Sequence, residues 1–181
     1  MKIDLNQHLD IPDGVSVLIE PDRVTVKGPK GELSRRMEGR QVHIAQEGKR
    51  LVFTAKKATK REKTAMGTIR AHIKNMMSGA LQSHVYRLKV CSGHFPMNVA
   101  VKGAEFVVKN FLGEKVPRVL KLRQGVQVKV EGSDIRVESV SRELAGQTAA
   151  SIEQLTRRPG FDNRIFQDGI FIVEKSGKGV A

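Results

Sequence analysis

The sequence has 181 residues, a length that suits one generous domain or two compact lobes. Its 32 Lys and Arg residues outnumber 19 Asp and Glu residues, and the net charge of +13 predicts a polyanionic partner, with a merely solvated basic surface as the alternative. No apolar run approaches the roughly 20 residues that span a bilayer, the N-terminus lacks the apolar core of a signal peptide, and the single Cys91 excludes an internal disulfide. We therefore expect a cytoplasmic protein with no membrane partner.

The first half of the chain begins with predicted β-strands. Apolar alternation indicates strands at residues 15–19, 24–26, 33–37, 42–45 and 51–55. The first two strands form a hairpin around the turn at 21–22, and the last two form a second hairpin around the turn at 47–48. The loop 27–31, Lys-Gly-Pro-Lys-Gly, is interpreted either as a tight turn or as a basic loop that presents Lys27 and Lys30 to an RNA backbone.

A helix is predicted to follow these strands. Thr59 and Glu62 fit a capping box, in which a hydroxyl and a carboxylate satisfy backbone amides at a helix start. Gly79 is the predicted end of this helix. Its apolar face comprises Ala65, Met66, Ile69, Ile73, Met76 and Met77. We interpret the methionines as core residues and not as part of a cofactor site.

The second half of the chain repeats this order of elements. Strands are predicted at residues 99–101, 106–108, 126–130 and 135–137. A helix follows that Ser141 caps, that Pro159 and Gly160 end, and that buries Leu144, Thr148, Ile152 and Leu155 on one face. Matching Gly-Glu and Glu-Gly turns recur at a spacing of about 82 to 84 residues, which indicates an internal duplication.

The duplication predicts an α+β fold class with two tandem similar lobes. Each lobe is expected to be a mostly antiparallel sheet covered by one helix, because alternating strands have only one apolar side to bury. The N-terminal lobe is predicted at residues 1–82 and the C-terminal lobe at 83–181. Within the latter, residues 83–97 are expected to join the lobes, and 158–181 to trail as an RNA-contacting tail.

The sequence contains no recognisable catalytic motif. None of the five histidines belongs to a His-Glu-x-x-His or His-x-His motif. Cys91 and His94 have the spacing of half a metal site but supply two ligands where structural zinc needs four. The loop 27–31 lacks the Gly-Lys-Ser/Thr ending of a phosphate loop. We expect no catalytic residue, cofactor, metal or small-molecule substrate.

Clusters of basic residues indicate contacts with nucleic acid. No Trp and one Tyr are present, which argues against a stacking platform and favours recognition of folded RNA by shape and phosphate. The tail after residue 156 is expected to dock on its own lobe through Ile165, Phe166, Ile170 and Phe171. Arg157, Arg158 and Arg164 would then meet phosphates, with simple C-terminal packing as the alternative.

Three features together resemble a known family, the ribosomal protein six family of the large subunit. They are the Ile-Pro-Asp-Gly-Val motif at 11–15, the Gly-Pro-Lys-Gly-Glu-Leu motif at 28–33 after alternating valines, and the duplicated plan. His-Phe-Pro at 94–96 and Asp-Gly-Ile at 168–170 are similar to the archaeal and eukaryotic branch. The Pro-, Lys- and Gly-rich ending of bacterial members is absent, so contacts of bacterial tails transfer poorly to this chain.

The resemblance implies two stacked lobes bound to ribosomal RNA near the sarcin-ricin loop and the base of the factor-recruiting stalk, beside neighbouring large-subunit proteins. The implied role is to neutralise phosphates and hold RNA helices in position for translation. The candidate rRNA-binding residues are Arg157, Arg158, Arg164, Arg118, Lys121, Arg123, His94 and Lys30. The alternative is a free RNA- or DNA-binding accessory protein, which would not sediment with large subunits after a high-salt wash.

Overall fold

The computed structural model describes residues 3–37, 41–162 and 164–179. The chain divides into two compact units, Met1–Ser83 and His84–Ala181, which we call the first and second lobes. Each lobe has its own apolar core, one long helix and antiparallel strands. The α+β class is therefore confirmed, and the structure adds that the strands of each lobe form two sheets instead of one.

The first lobe has the following elements in its described residues: β1 (Ile3–Asp10), β2 (Ser16–Ile19), β3 (Arg23–Gly28), β4 (Gly31–Arg36), β5 (His43–Glu47), β6 (Arg50–Ala58) and α1 (Lys60–Leu81). One sheet has the order β1-β6-β5 and the other β2-β3-β4. Both predicted hairpins are present, with Val17 opposite Val26 and Ile44 opposite Phe53. Alternating apolar residues pack against α1 and form the core.

Helix α1 begins as predicted and ends later than predicted. The Thr59 hydroxyl accepts from the Arg61 amide, the Glu62 carboxylate accepts from the Thr59 amide, and these bonds form the capping box. The side-chain and backbone hydrogen bonds from Thr59 lower the pKa of Glu62. The predicted end at Gly79 is wrong because Gly79 and its neighbour Ala80 are buried, and this packing keeps the chain helical to Leu81 despite the glycine.

The second lobe has these elements in its described residues: β7 (His84–Cys91), β8 (Asn98–Lys102), β9 (Glu105–Lys109), a 3₁₀ turn (Phe111–Gly113), β10 (Arg118–Lys121), β11 (Gln127–Glu131), β12 (Asp134–Ser139), α2 (Arg142–Leu155), β13 (Gly169–Lys175) and β14 (Lys178–Gly179). The sheets have the orders β8-β9-β10 and β11-β12-β7-β13-β14. Ser141 accepts from the Leu144 amide, which confirms the predicted cap.

The strand orders of the two lobes match, which confirms the duplication. The order β2-β3-β4 corresponds to β8-β9-β10, and β5-β6-β1 corresponds to β11-β12-β7. In each lobe the helix follows the sixth strand. The second lobe differs because β13 and β14 extend its sheet beyond β7. In the first lobe the corresponding edge of β1 has no partner among the described strands.

The structure corrects three boundaries in the second lobe. Residues 83–97 were expected to join the lobes, but 84–91 form β7, the middle strand of the five-stranded sheet, because Tyr86 and Leu88 alternate into the core. The trailing segment 158–181 is partly a strand, since β13 pairs with β7. Helix α2 ends at Leu155, before the proline that was expected to end it.

Candidate nucleic-acid interface

The loop that contains Lys30 is held against the end of α1. The Lys30 amide donates to the carbonyl of Ala80 at 2.9 Å, and a Cβ added to Gly28 would lie 2.7 Å from that same oxygen. Glycine is therefore required at position 28 by the close approach of two backbones. Lys27 pairs with Glu32, with Nζ and Oε2 3.3 Å apart. The loop is a structural turn, and its exposed Lys30 side chain is still available as an RNA contact.

Arg118, at the start of β10, is held by contacts within the protein. Its Nε and Nη2 donate to the Glu114 carboxylate at 2.8 and 2.6 Å, and its Nη1 donates to the carbonyl of Leu155 at 2.7 Å. The guanidinium also lies 4.4 Å from the centre of the Phe111 ring. The hydrogen bond from Arg118 lowers the pKa of Glu114. This geometry gives Arg118 the role of fixing the 110–117 loop to the end of α2.

Lys121 and Arg123 lie further along from Arg118 and are exposed. Lys121 ends β10 and stands opposite Glu105 in the strand register. Side chains alternate along a strand, so Lys121 lies on the other face of β10 from Arg118. Two of the candidate rRNA-binding residues, Arg118 and Lys121, therefore lie on opposite faces of β10.

Arg157 and Arg158 follow the last turn of α2, and both are exposed. Neither forms an ion pair with any residue that the structure describes. The Arg158 guanidinium lies 4.3 Å from the centre of the Phe161 ring, an arrangement that orients the side chain without neutralising it. These two cations can therefore meet phosphate without first breaking an ion pair.

Arg164 is also exposed, but it has a partner. Its Nη2 lies 2.8 Å from Oδ2 of Asp162, and its side chain is 89% exposed. The hydrogen bond between them lowers the pKa of Asp162 and raises that of Arg164. A pair this exposed is screened by solvent, so a phosphate could replace the carboxylate at low cost.

His94 is bound to the start of β13 through Asp168. The Asp168 carboxylate accepts from the Gly93 amide at 2.7 Å, the His94 amide at 3.0 Å and the His94 ring. Its side chain is only 3% exposed, so burial alone would raise its pKa, but the bonds from His94 and Gly93 outweigh burial and lower it. His94 is 45% exposed and lies against Phe166, with ring centres 5.2 Å apart.

An open cavity of about 330 Å³ lies between the 3₁₀ turn, the end of α2 and the residues that precede and begin β13. Four of the chain's seven phenylalanines line it: Phe111, Phe161, Phe166 and Phe171. Arg157 and Arg158 lie in its wall. The low number of aromatic residues in the whole chain did not predict this cavity, because three of these four phenylalanines fall within eleven consecutive residues, 161–171.

Two further observations concern other kinds of function. In the described ranges, no three His, Cys, Asp or Glu side chains are grouped so that they could hold a metal ion. No helix in the part of the chain that the structure describes is long and apolar enough to cross a membrane. The duplicated α+β fold, the net charge of +13 and the exposed cations of the second lobe are those of a basic protein whose surface suits a nucleic acid.

Comparison with known proteins identifies the family. The family model described as Ribosomal protein L6 matches the chain twice, at residues 11–82 and 95–169. The chain belongs to this family. It is 44% identical over 169 residues to "Large ribosomal subunit protein uL6" of Methanothrix thermoacetophila, covering 93% of this chain and 96% of that protein. The protein of the same name from Methanococcus vannielii is 41% identical over 174 residues, with 96% of each chain covered.

A third relative, from Ignicoccus hospitalis, also named "Large ribosomal subunit protein uL6", is 43% identical over 169 residues and covers 91% of each chain. All three relatives are archaeal, in agreement with the branch that the resemblance indicated. Family membership shows that the protein is a structural, non-enzymatic component of the large subunit of the cytoplasmic ribosome.

Proposed function

We propose that this protein binds large-subunit rRNA near the sarcin-ricin loop and the base of the stalk, beside neighbouring ribosomal proteins, and that the second lobe supplies the principal contact. There it neutralises crowded phosphates and holds RNA helices in position for translation. The location on the subunit rests on the resemblance to the family, and the choice of contact residues rests on the geometry of the second lobe.

Arg157 and Arg158 carry this proposal. They are adjacent, exposed and without an ion pair among the described residues, and they flank an aromatic cavity. Neither cation has to break an ion pair before it meets a phosphate, whereas a paired cation first loses its partner; Glu114 interacts with Arg158 only through its charge, without forming an ion pair. We propose Arg164 and His94 as further contacts. Arg164 belongs to the segment between α2 and β13, and His94 is bound to that segment through Asp168.

The remaining predicted residues have different roles in the proposal. Lys121, Arg123 and Lys30 are exposed cations proposed as additional phosphate contacts. Arg118 is proposed to act indirectly, because its donors already bind Glu114 and Leu155. Its contribution is to fix the position of the 110–117 loop and the end of α2, from which Arg157 and Arg158 extend.

The test is the affinity of the purified protein for large-subunit rRNA at several salt concentrations. Replacing Arg157 and Arg158 by Ala removes two phosphate contacts, so affinity should fall and the slope of log affinity against log salt should become shallower by about 0.7 to 0.9 per contact, the range between single-stranded and duplex nucleic acid. The matched control replaces Lys102 and Lys129, two exposed lysines on β8 and β11, and should retain most of both affinity and slope.

Two results would count against the proposal. If the control variant loses as much slope as the arginine variant, binding depends on net charge alone and no particular contact is assigned. If the wild-type protein leaves large subunits during a high-salt wash, the accessory-protein alternative is favoured instead.

A further inference from the structure

We infer that the cavity of the second lobe accepts a single unstacked nucleobase of RNA, while Arg157 and Arg158 hold the phosphates that flank it. This inference rests on the proposed rRNA binding and specifies its chemistry. It differs from that proposal because a base is held by stacking, and stacking does not depend on counterions.

The size and lining of the cavity suit a flat aromatic group. A volume of about 330 Å³ is at the lower end of the about 300–1,000 Å³ that is typical of small-molecule pockets, and an opening to solvent admits a group attached to a chain. Phe161 and Phe171 are 37% and 44% exposed, so aromatic surface remains uncovered. Unpaired RNA bases are commonly bound by stacking on such rings.

The aromatic surface continues into a connected row of side chains. Arg158 lies over Phe161, the Phe161 and Phe166 rings meet edge to face with centres 4.9 Å apart, and Phe166 lies against His94. Asp168 holds His94 through its ring and its amide. Rings held in this way lose little conformational freedom when a base binds.

The floor of the cavity is held together by two hydrogen bonds. The Thr156 hydroxyl accepts from the Ile170 amide at 2.9 Å, and the Glu153 carboxylate accepts from the Ile172 amide at 2.9 Å. These two bonds join the end of α2 to the start of β13. The cavity is therefore formed by hydrogen-bonded elements in the free protein, which lowers the entropic cost of binding.

The chemistry of the rim favours a nucleotide over an apolar side chain of a neighbouring protein. Two exposed arginines without ion pairs among the described residues stand beside the rings, and a nucleotide supplies an aromatic base and a phosphate together. An apolar side chain would cover the rings but would bring no anion to either guanidinium group.

The experiment measures rRNA affinity and its salt dependence for Phe171→Leu, which keeps apolar volume but removes a flat ring. Affinity should fall by about tenfold, in the lower half of the roughly 5- to 150-fold range for loss of one base stack because leucine keeps apolar contact, with the salt slope unchanged. Phe171→Tyr keeps the ring and should bind like wild type. Phe95→Leu, the same change at a phenylalanine that is 48% exposed and does not line the cavity, is the matched control. Melting temperatures establish that all variants remain folded.

Each other outcome overturns the inference. Equal affinity of Phe171→Leu and Phe95→Leu, with steep salt dependence intact, means that rRNA binding stands but no base enters the cavity. Normal rRNA affinity of Phe171→Leu with reduced incorporation into large subunits means that a neighbouring protein occupies the cavity. If the wild-type protein itself does not bind rRNA in a salt-dependent way, the proposed function is contradicted. In the other two results the wild-type protein still binds rRNA, so the failures can be told apart.

Discussion

The two lobes share their strand order but differ where the loop after the third strand meets the end of the helix. In the first lobe Gly28 brings this loop into backbone contact with Ala80, and the Lys30 amide closes the helix end. In the second lobe Asn110 adopts a left-handed conformation with φ of 59°, a 3₁₀ turn follows, and a cavity separates this turn from the residues after α2. One copy of the duplicated fold is therefore closed and the other open at corresponding places.

The two copies of the fold therefore use the same loop differently: one copy packs it against the helix, and the other leaves a space that we propose as a binding site. The closed loop uses its backbone groups to complete α1 and leaves no gap between Gly28 and the end of that helix. The open one uses a side chain, Arg118, to reach the end of α2 across the gap. The space that remains is lined by phenylalanines and by two arginines, and we have proposed it as the RNA contact.

The largest expected effect comes from adding a side-chain atom at Gly28, where the first lobe has no room for one. Gly28→Ala places a Cβ within 2.9 Å of the carbonyl carbon and Cβ of Ala80, so backbone must move, and we expect the free energy of unfolding to fall by about 2–3 kcal/mol. Urea unfolding measures this. Gly67→Ala is the control in the same lobe, where an added Cβ meets nothing within 4 Å, and should stabilise α1 by about 0.5–1 kcal/mol. Equal effects of both changes would contradict the close contact.

The next effect concerns Arg118, whose side chain connects the 110–117 loop to the end of α2 in the second lobe, where the first lobe has the contact between Gly28 and Ala80. Arg118→Lys keeps the charge but loses the two-bond pairing with Glu114, and we expect a loss of about 1–2 kcal/mol in the free energy of unfolding. Affinity for rRNA at fixed salt should fall less than in the Arg157 and Arg158 variant, because Arg118 positions the site without contacting RNA. A larger loss of affinity than of stability would instead make Arg118 a direct contact.

Acid should weaken the second lobe through Asp168. Its folded pKa is lowered, so its stabilisation is complete above the unfolded value of about 3.9 and disappears as pH falls through the folded value. Asp168→Asn should cost about 1–2 kcal/mol at pH 7 and less as pH approaches 2, so that the two stability curves converge. Thermal unfolding at pH 7, 5, 4, 3 and 2 checks this, and a constant difference at every pH would exclude a charged Asp168 as the cause.

The smallest effect compares the two helix caps. Thr59 takes part in a reciprocal capping box, whereas the Ser141 hydroxyl accepts from the Leu144 amide at a longer 3.4 Å. Thr59→Ala should therefore cost about 1 kcal/mol, and Ser141→Ala about 0.5 kcal/mol. Amide hydrogen exchange in the first turn of each helix gives the comparison, which fails if Ser141→Ala has the larger effect.

Sequence patterns predicted the elements whose apolar residues alternate between clear turns. The hairpins of both lobes and the two caps fall into this group. The strand β7 was missed although Tyr86 and Leu88 alternate, because its partners β12 and β13 lie far along the chain and no adjacent strand makes a hairpin with it. Gly79 was mistaken for a helix end because the packing of Ala80 on Gly28 is a contact between distant parts of the chain.

The candidate site was predictable in part. Position in the tail indicated Arg157 and Arg158, and the structure finds both exposed. The roles of Arg118 and the cavity were not predictable, because they depend on a carbonyl 37 residues away from Arg118 and on aromatics contributed by three separate elements. A count of aromatics cannot show that four of them meet in one place.

The comparison between a closed and an open lobe is tested most directly by ultraviolet crosslinking of the protein to rRNA in intact large subunits, followed by identification of the crosslinked peptides. We expect crosslinks on the peptide that contains Phe161, Phe166 and Phe171, at a higher yield than on the peptide that contains the 27–31 loop. Crosslinks on the 27–31 loop with none on residues 157–171 would contradict it.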